Sequence, residues 1–313
     1  MNGKQILTDK NHYMTELEMF SSLKVSRANT LYIENKANRE FKGFGVAITG
    51  ASCYNLSIMD SDARKELLTN IYTSDGLGLS VGRLTIGSSD YSAEVYSYDD
   101  EPFDVELKHF SVEREKKYII PMIKEIPFHY YTGTIEETLK LKKAYPDIKL
   151  HFTEAGPRLY DNYDTDWCKW GIMISKAIKC GYSSFTGWNL MLNEMGGPNV
   201  GPFLCGGLVT RNTDDGELSY SGQYKTFSHI AKYINNNSDI YPINVGEEYD
   251  LHMSSYRKSN MDIEGFYIDN HDGKHIIVLI NPNDEKRQTQ FNLDGKWWYT
   301  ELTPESISTI IIE

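Results

Sequence analysis

The run Leu150-His151-Phe152-Thr153-Glu154-Ala155-Gly156 ends a short apolar stretch on a carboxylate and then on small residues. That order sends one acid out of the end of a β-strand. In a barrel of parallel strands, the C-terminal ends of the strands carry the reacting groups. An ionised carboxylate placed there can act as a nucleophile or transfer a proton. Cleavage of a glycosidic bond takes two such acids. Glu154 has no obvious partner acid along the chain, so the pattern presents one candidate and a gap. Taken alone, Glu154 is better explained as a capping or salt-bridged acid, by roughly two to one.

Composition narrows the classes. The chain has 313 residues, 40% hydrophobic and 24% charged, which allows a sizeable core and one or two domains. A net charge of -12 argues against a nucleic-acid partner, because phosphate binding wants a basic surface. An acidic surface suits a neutral substrate. No apolar run reaches about 18 residues, so no transmembrane helix is expected. Met1-Asn2-Gly3-Lys4-Gln5 lacks the apolar core of a signal peptide, which favours a cytoplasmic over a secreted chain. Cys53, Cys168, Cys180 and Cys205 are widely spaced, without a CxxC or Cys/His cluster. They read as reduced core residues, and neither a metal nor another cofactor is expected.

The elements that must position Glu154 alternate in type. Strands are expected over 44–49, 77–86, 128–131, 149–153 and 184–192. Helices are expected over 61–72, 116–126, 134–144, 166–180 and 220–234, from apolar residues at helical spacing. Asp60 or Ser61 caps the first, Thr134 and Glu137 form a capping box, and Gly181 stops the fourth. Such alternation predicts a parallel sheet clad in helices. The tail differs. Short apolar runs at 265–268, 275–280, 289–293 and 308–312, split by turn clusters such as Asn270-His271-Asp272-Gly273, predict an antiparallel β-sandwich. Leu31-Tyr32-Ile33-Glu34 is expected to join it. The domain reading is therefore an N-terminal segment, 1–40, lending strands to the sandwich, a barrel over 41–240 and a sandwich over 241–313.

Several motifs together resemble glycoside hydrolase family 30, the glucosylceramidase-like β-glycosidases. Gly43-Phe44-Gly45-Val46-Ala47-Ile48-Thr49 is similar to the first barrel strand. Gly82-Arg83-Leu84-Thr85-Ile86-Gly87-Ser88-Ser89-Asp90-Tyr91-Ser92, with Tyr96-Ser97-Tyr98-Asp99-Asp100, resembles the second strand and its loop. His129-Tyr130-Tyr131 resembles the sixth strand and Phe152-Thr153-Glu154 the seventh. The stretch from Gly187-Trp188-Asn189 to Gly197-Pro198-Asn199 resembles the eighth. The resemblance implies a retaining mechanism through a covalent glycosyl-enzyme, on β-glucosides or related glycolipids. It makes Glu154 the nucleophile and Arg83 its cationic partner. Asp90 would accept hydrogen bonds from sugar hydroxyls, and Tyr131 would support Glu154. Trp188, Asn199 and Phe185 would line the sugar pocket. Each has a plain alternative: Arg83 a bridge between strands, Asp90 and Asn199 turn residues, Trp188 core, His129 a satisfied core histidine.

The chain also departs from the family. Three β/α units are missing between the second helix and the sixth strand, and with them the Asn-Glu-Pro acid/base motif, which occurs nowhere in the sequence. Gly50 stands where the family has Asp, and Phe185 where it usually has Trp. Loss of the acid removes roughly 10²–10⁴ in rate. Glu94 and Glu194 are the substitutes that position allows, and both are more simply solvated loop acids. The fold class expected is an incomplete (β/α)8 TIM-type barrel of about five β/α units with an all-β side sandwich. Its exposed strand edges suggest a homodimer. Two functions compete: a β-glycosidase with weak or lost activity, and a non-catalytic sugar-binding or interaction protein on the same scaffold.

Overall fold

The structure is a computed structural model that describes residues 3–26, 28–85, 87–106, 108–111, 113, 149–201, 204–245 and 263–313. The strand expected over 128–131, with His129 and Tyr131, and the helices expected over 116–126 and 134–144 lie outside the described residues.

The chain opens with strands β1 (Gly3–Thr8), β2 (Thr15–Met19), β3 (Ser21–Ser22) and β4 (Asn29–Ile33). It then enters β5 (Phe44–Ile48), whose side chains are all buried. Thr49 ends that strand and caps helix α1 (Gly50–Ser57) by accepting from the Ser52 N–H. Asp60 caps α2 (Ser61–Tyr72) by accepting from the Asp62 and Ala63 N–H groups. Strand β6 (Val81–Leu84) follows, then β7 (Leu150–Phe152), α3 (Trp167–Lys179) and β8 (Tyr182–Gly187). Gly181, at φ 76°, makes the left-handed stop after α3. Strands β9 (Met191–Asn193), β10 (Val209–Arg211) and β11 (Leu218–Tyr220) precede α4 (Gly222–Ile230), which Ser221 caps. The tail is β12 (Asp239–Val245), β13 (Glu264–Asp269), β14 (His275–Asn281), β15 (Arg287–Leu293), β16 (Lys296–Leu302) and β17 (Ser306–Ile312).

Four strands form a parallel sheet in the order β6-β5-β8-β7, an arc of a barrel among the described residues. The two central strands are buried on both faces, as parallel strands under helices must be. Phe44, Val46 and Ile48 point outward to Leu56, Leu67, Ile71, Trp170 and Phe227 on the helices. Ala47 points inward, to Ala51, Tyr91, Trp188 and Leu192. The expected strand over 184–192 is two. Asn189, in the left-handed region at φ 48°, breaks it, and β9 pairs with β10 outside the barrel sheet.

The other strands make one sheet of ten, ordered β2-β1-β17-β14-β13-β12-β4-β15-β16-β3. The N-terminal strand β4 joins it through β12 and β15. The sheet folds over on itself: Thr300 of β16 donates to Gln5 of β1 at 2.8 Å, and a Cβ on Gly3 would meet Trp298. Alternate residues of β14 serve two cores. Ile277 and Leu279 face Trp298 and Phe291 across that fold, while Ile276, Val278 and Ile280 face the helices. Helix α3 locks the two parts together, with Lys179 Nζ 2.8 Å from Glu264 and Gly171 close against Ile280.

Candidate active site

Glu154 lies two residues beyond the end of β7 and meets Arg83 of β6. Arg83 Nη1 donates to Glu154 Oε2 at 2.5 Å and to the Thr153 carbonyl at 3.2 Å. Strands β6 and β7 stand at opposite ends of the four-strand order, so only the curl of the sheet brings the two side chains together. Both are sequestered, with 3% of Arg83 and 10% of Glu154 exposed. The guanidinium also lies over the Trp188 ring, 4.3 Å from its centroid. A planar cation suits this double duty, bonding in its plane and stacking on its face.

Trp188 is held in turn. The edge of Tyr91 packs against it at 5.7 Å and 85°, and Tyr91 is itself 1% exposed. The Tyr91 carbonyl accepts from the Ala51 N–H at 2.8 Å, which ties the loop after β6 to α1. Asp90 precedes Tyr91, at the rim. Partial burial raises its carboxyl above the usual range, Glu154's charge adds to the rise, and Arg83 opposes it. The Val200 N–H donates to the Asp90 carbonyl at 2.8 Å, so the loop bearing Asn199 abuts the one bearing Asp90. Asn199 turns its amide to the Gly196 carbonyl at 2.7 Å.

The loop after β7 is stitched to the segment between β9 and β10. Gly206 N–H donates to the Pro157 carbonyl at 2.8 Å, and Tyr163 Oη donates to the Gly207 carbonyl at 3.0 Å. A Cβ on Gly206 would stand 2.4 Å from the Tyr163 ring, so glycine is required there. The Ala155 carbonyl, next to Glu154, accepts from the Trp188 N–H and from Gln223 Nε2, each at 3.0 Å. Cys205, half-buried, packs against the inner cluster of Tyr91 and Trp188, and burial pushes its thiol up.

Thus Glu154, Arg83 and Trp188 are joined in direct contact, with Asp90 and Asn199 on adjoining loops. Phe185 is not with them. It is fully buried on the helix side of β8, stacked on Phe152 at 4.2 Å and packed near Phe44 and Phe227. The reason is strand alternation: Trp188 faces inward, and Phe185 sits on the other face. Tyr131 lies outside the described residues. Glu194, one of the two substitutes weighed for the missing acid, is bonded to Thr213. Thr213 supplies both its hydroxyl and its N–H, and those bonds, the hydroxyl first, hold the carboxyl below the usual range. Glu94 is exposed in the loop after β6. Sequence reasoning missed Gln223, Tyr91 and Cys205, because no local pattern marks a residue whose contacts lie in other loops.

Residues 41–131 match the glycosyl hydrolase family 30 TIM-barrel domain. Putative glucosylceramidase 4 of Caenorhabditis elegans is 38% identical over 84 residues, covering 26% of this chain and 16% of that protein. Lysosomal acid glucosylceramidase of Mus musculus is 36% identical over 95 residues, 30% of this chain and 18% of that protein. The matched stretch therefore spans less than a fifth of either relative. Among solved structures, SrfJ from Salmonella typhimurium superposes with a TM-score of 0.82 at 16% identity, covering 100% of both chains. The endo-beta1,6-glucanase BT3312 gives 0.77 at 17% identity, covering 99% of both chains. At such identities the likeness is one of fold. The barrel segment over residues 41–131 is similar to that of glycoside hydrolases. Residues 41–131 are thus matched to glycosyl hydrolase family 30, and the similarity to glucosylceramidases supports that assignment for this part of the chain.

Proposed function

We propose that this protein is a retaining β-glycosidase of the glucosylceramidase type, with Glu154 as nucleophile and β-glucosides or related glycolipids as substrates. The observation that carries the reading is the sequestered Arg83–Glu154 pair at the mouth of the parallel sheet, with Trp188 stacked on the cation. In this reading Glu154 Oε attacks the anomeric carbon as the bond to the leaving-group oxygen breaks, and that oxygen keeps the electron pair. Asp90 and Asn199 receive the sugar hydroxyls, and Tyr131 supports the nucleophile. The antiparallel sheet serves as the side domain of the barrel. A homodimer through barrel edges is the association this reading expects, and a strict monomer in light scattering would remove that part.

The leaving oxygen also needs a proton, and the chain has no Asn-Glu-Pro motif to supply it. Turnover of ordinary glycosides is therefore weak or lost, by roughly 10²–10⁴. A dinitrophenolate leaves without protonation. The test is a 2,4-dinitrophenyl 2-deoxy-2-fluoro-β-glucoside. The expected result is a burst of phenolate equal to enzyme, with the sugar found on the Glu154 peptide by mass spectrometry and no burst in Glu154→Gln. No burst and no label in the parent chain would refute the reading and favour a non-catalytic sugar-binding scaffold.

A further inference from the structure

Gln223 is a fully buried amide on the first turn of α4. Burying an amide is costly unless it is bonded. Its Nε2 donates to the Ala155 carbonyl at 3.0 Å, and the Trp188 N–H donates to the same oxygen at 3.0 Å. The two bonds meet on the residue directly after Glu154. Room for the amide is made by Gly187 at the end of β8, where a Cβ would stand 2.4 Å from Gln223 Oε1. The helix carrying Gln223 is anchored in turn. Ser221 caps it, and the Gly222 N–H donates to the Tyr163 carbonyl at 2.7 Å, on the loop that follows Glu154.

We propose that Gln223 is a positioning residue for Glu154: its amide and the Trp188 N–H clamp the peptide after the nucleophile and so aim the carboxylate at Arg83. The role rests on the reading of Glu154 as the attacking group. Three contacts then share one small frame. Trp188 holds Arg83 through its ring and Ala155 through its backbone, and Gln223 closes the same carbonyl from the helix side. Loss of the side-chain bond loosens the Ala155–Gly156 peptide and with it the backbone that carries Glu154, and a displacement of about 1 Å at a reacting group costs about 100-fold.

The test compares the parent chain with Gln223→Leu and with the near-isosteric Gln223→Glu, which keeps the shape should the first variant fail to fold. The first measurement is crystallographic. Displacement of the Glu154 carboxylate from Arg83 in either variant supports the clamp, and an unmoved Arg83–Glu154 pair overturns it. The second is the first-order rate of Glu154 labelling by the dinitrophenyl fluoroglucoside. Gln223→Leu should slow it about 100-fold, with the half-saturating concentration little changed. In Gln223→Glu the side chain can donate to the Ala155 carbonyl only when protonated. Its labelling rate should therefore rise toward low pH through an ionisation that the parent lacks, which a merely structural loss would not produce. Equal rates and equal pH profiles in all three overturn the proposal. No labelling of the parent chain sinks the glycosidase reading instead, and the crystal comparison then decides the clamp by itself.

Discussion

Replacing Arg83 by methionine keeps the length and apolar stem of the side chain and removes its charge. Two opposite charges about 4 Å apart, at an effective dielectric of about 20, attract by about 4 kcal/mol. Removing one member of a buried pair costs about 3–5 kcal/mol, because the other charge is stranded without water. Stacking on the Trp188 ring at 4.3 Å adds about 1–2 kcal/mol. Arg83→Met should therefore lose about 4–7 kcal/mol, a fall of about 1.3–2.3 M in the urea midpoint at a slope near 3 kcal/mol/M. Glu154→Gln strands the guanidinium and should cost a similar amount. The double variant strands nothing, so its loss should fall short of the sum of the two by about 2 kcal/mol or more. The slope should stay constant across all four proteins. Because Arg83 is 3% exposed and Glu154 10%, added salt should change the coupling little. Additivity of the two single losses to within about 0.5 kcal/mol would refute a coupled, sequestered pair.

Two pH effects and one steric effect are also expected. His229 is fully buried between Thr8 and Thr309, and burial lowers its pKa from 6.5 to about 3. The folded state binds the fewer protons, so this contribution is complete above pH 6.5 and fades as pH falls toward about 3, on the order of a few kcal/mol over the window. Denaturation midpoints of His229→Gln should show a weaker acid dependence there than the parent. Asp166 has the opposite sign: burial raises its carboxyl from 3.8 to about 6. Ionisation is penalised in the fold, so the stability gap between Asp166→Asn and the parent should move in favour of the variant as pH rises from 3.8 through about 6, then level off. Gly206→Ala would push a methyl against the Tyr163 ring, costing about 1–3 kcal/mol and slowing the labelling of Glu154.

Local signals carried most of the barrel arc and much of the tail. The helix at 61–72 was legible to the residue, because Asp60 caps it and Leu67 and Ile71 recur at helical spacing. Gly181 marked the end of α3 for the same kind of reason, a conformation only glycine adopts cheaply. Strands β12 and β16 were not picked out, and β1 was covered only by the general expectation that residues 1–40 lend strands to the sandwich. Their apolar residues are few or interrupted, as in Lys296-Trp297-Trp298-Tyr299-Thr300-Glu301-Leu302, and partners in distant segments make them strands. The break at Asn189 was invisible for a related reason. Leu190, Met191 and Leu192 extend the apolar run, and only the pairing of β9 with β10 shows that the run has left the barrel sheet.

What the amino-acid order determined by itself is which groups are available: a carboxylate at a strand end, a cation within a strand, Trp188 in the eighth-strand motif, and no Asn-Glu-Pro acid. Side-chain type and local periodicity are properties of short stretches, so they can be read in one dimension. What the tertiary structure decided is which of them meet. Arg83 and Glu154 lie 71 residues apart and at opposite ends of the strand order, and the curl of the sheet closes them to 2.5 Å. Strand alternation turned Phe185 to the helix layer while Trp188 faced the cation. Gln223, with no motif around it, reached the Ala155 carbonyl only because α4 packs behind β8 where Gly187 leaves room. Distance along the chain places no limit on contact once strands curve and helices pack, so that part of the site existed only in three dimensions.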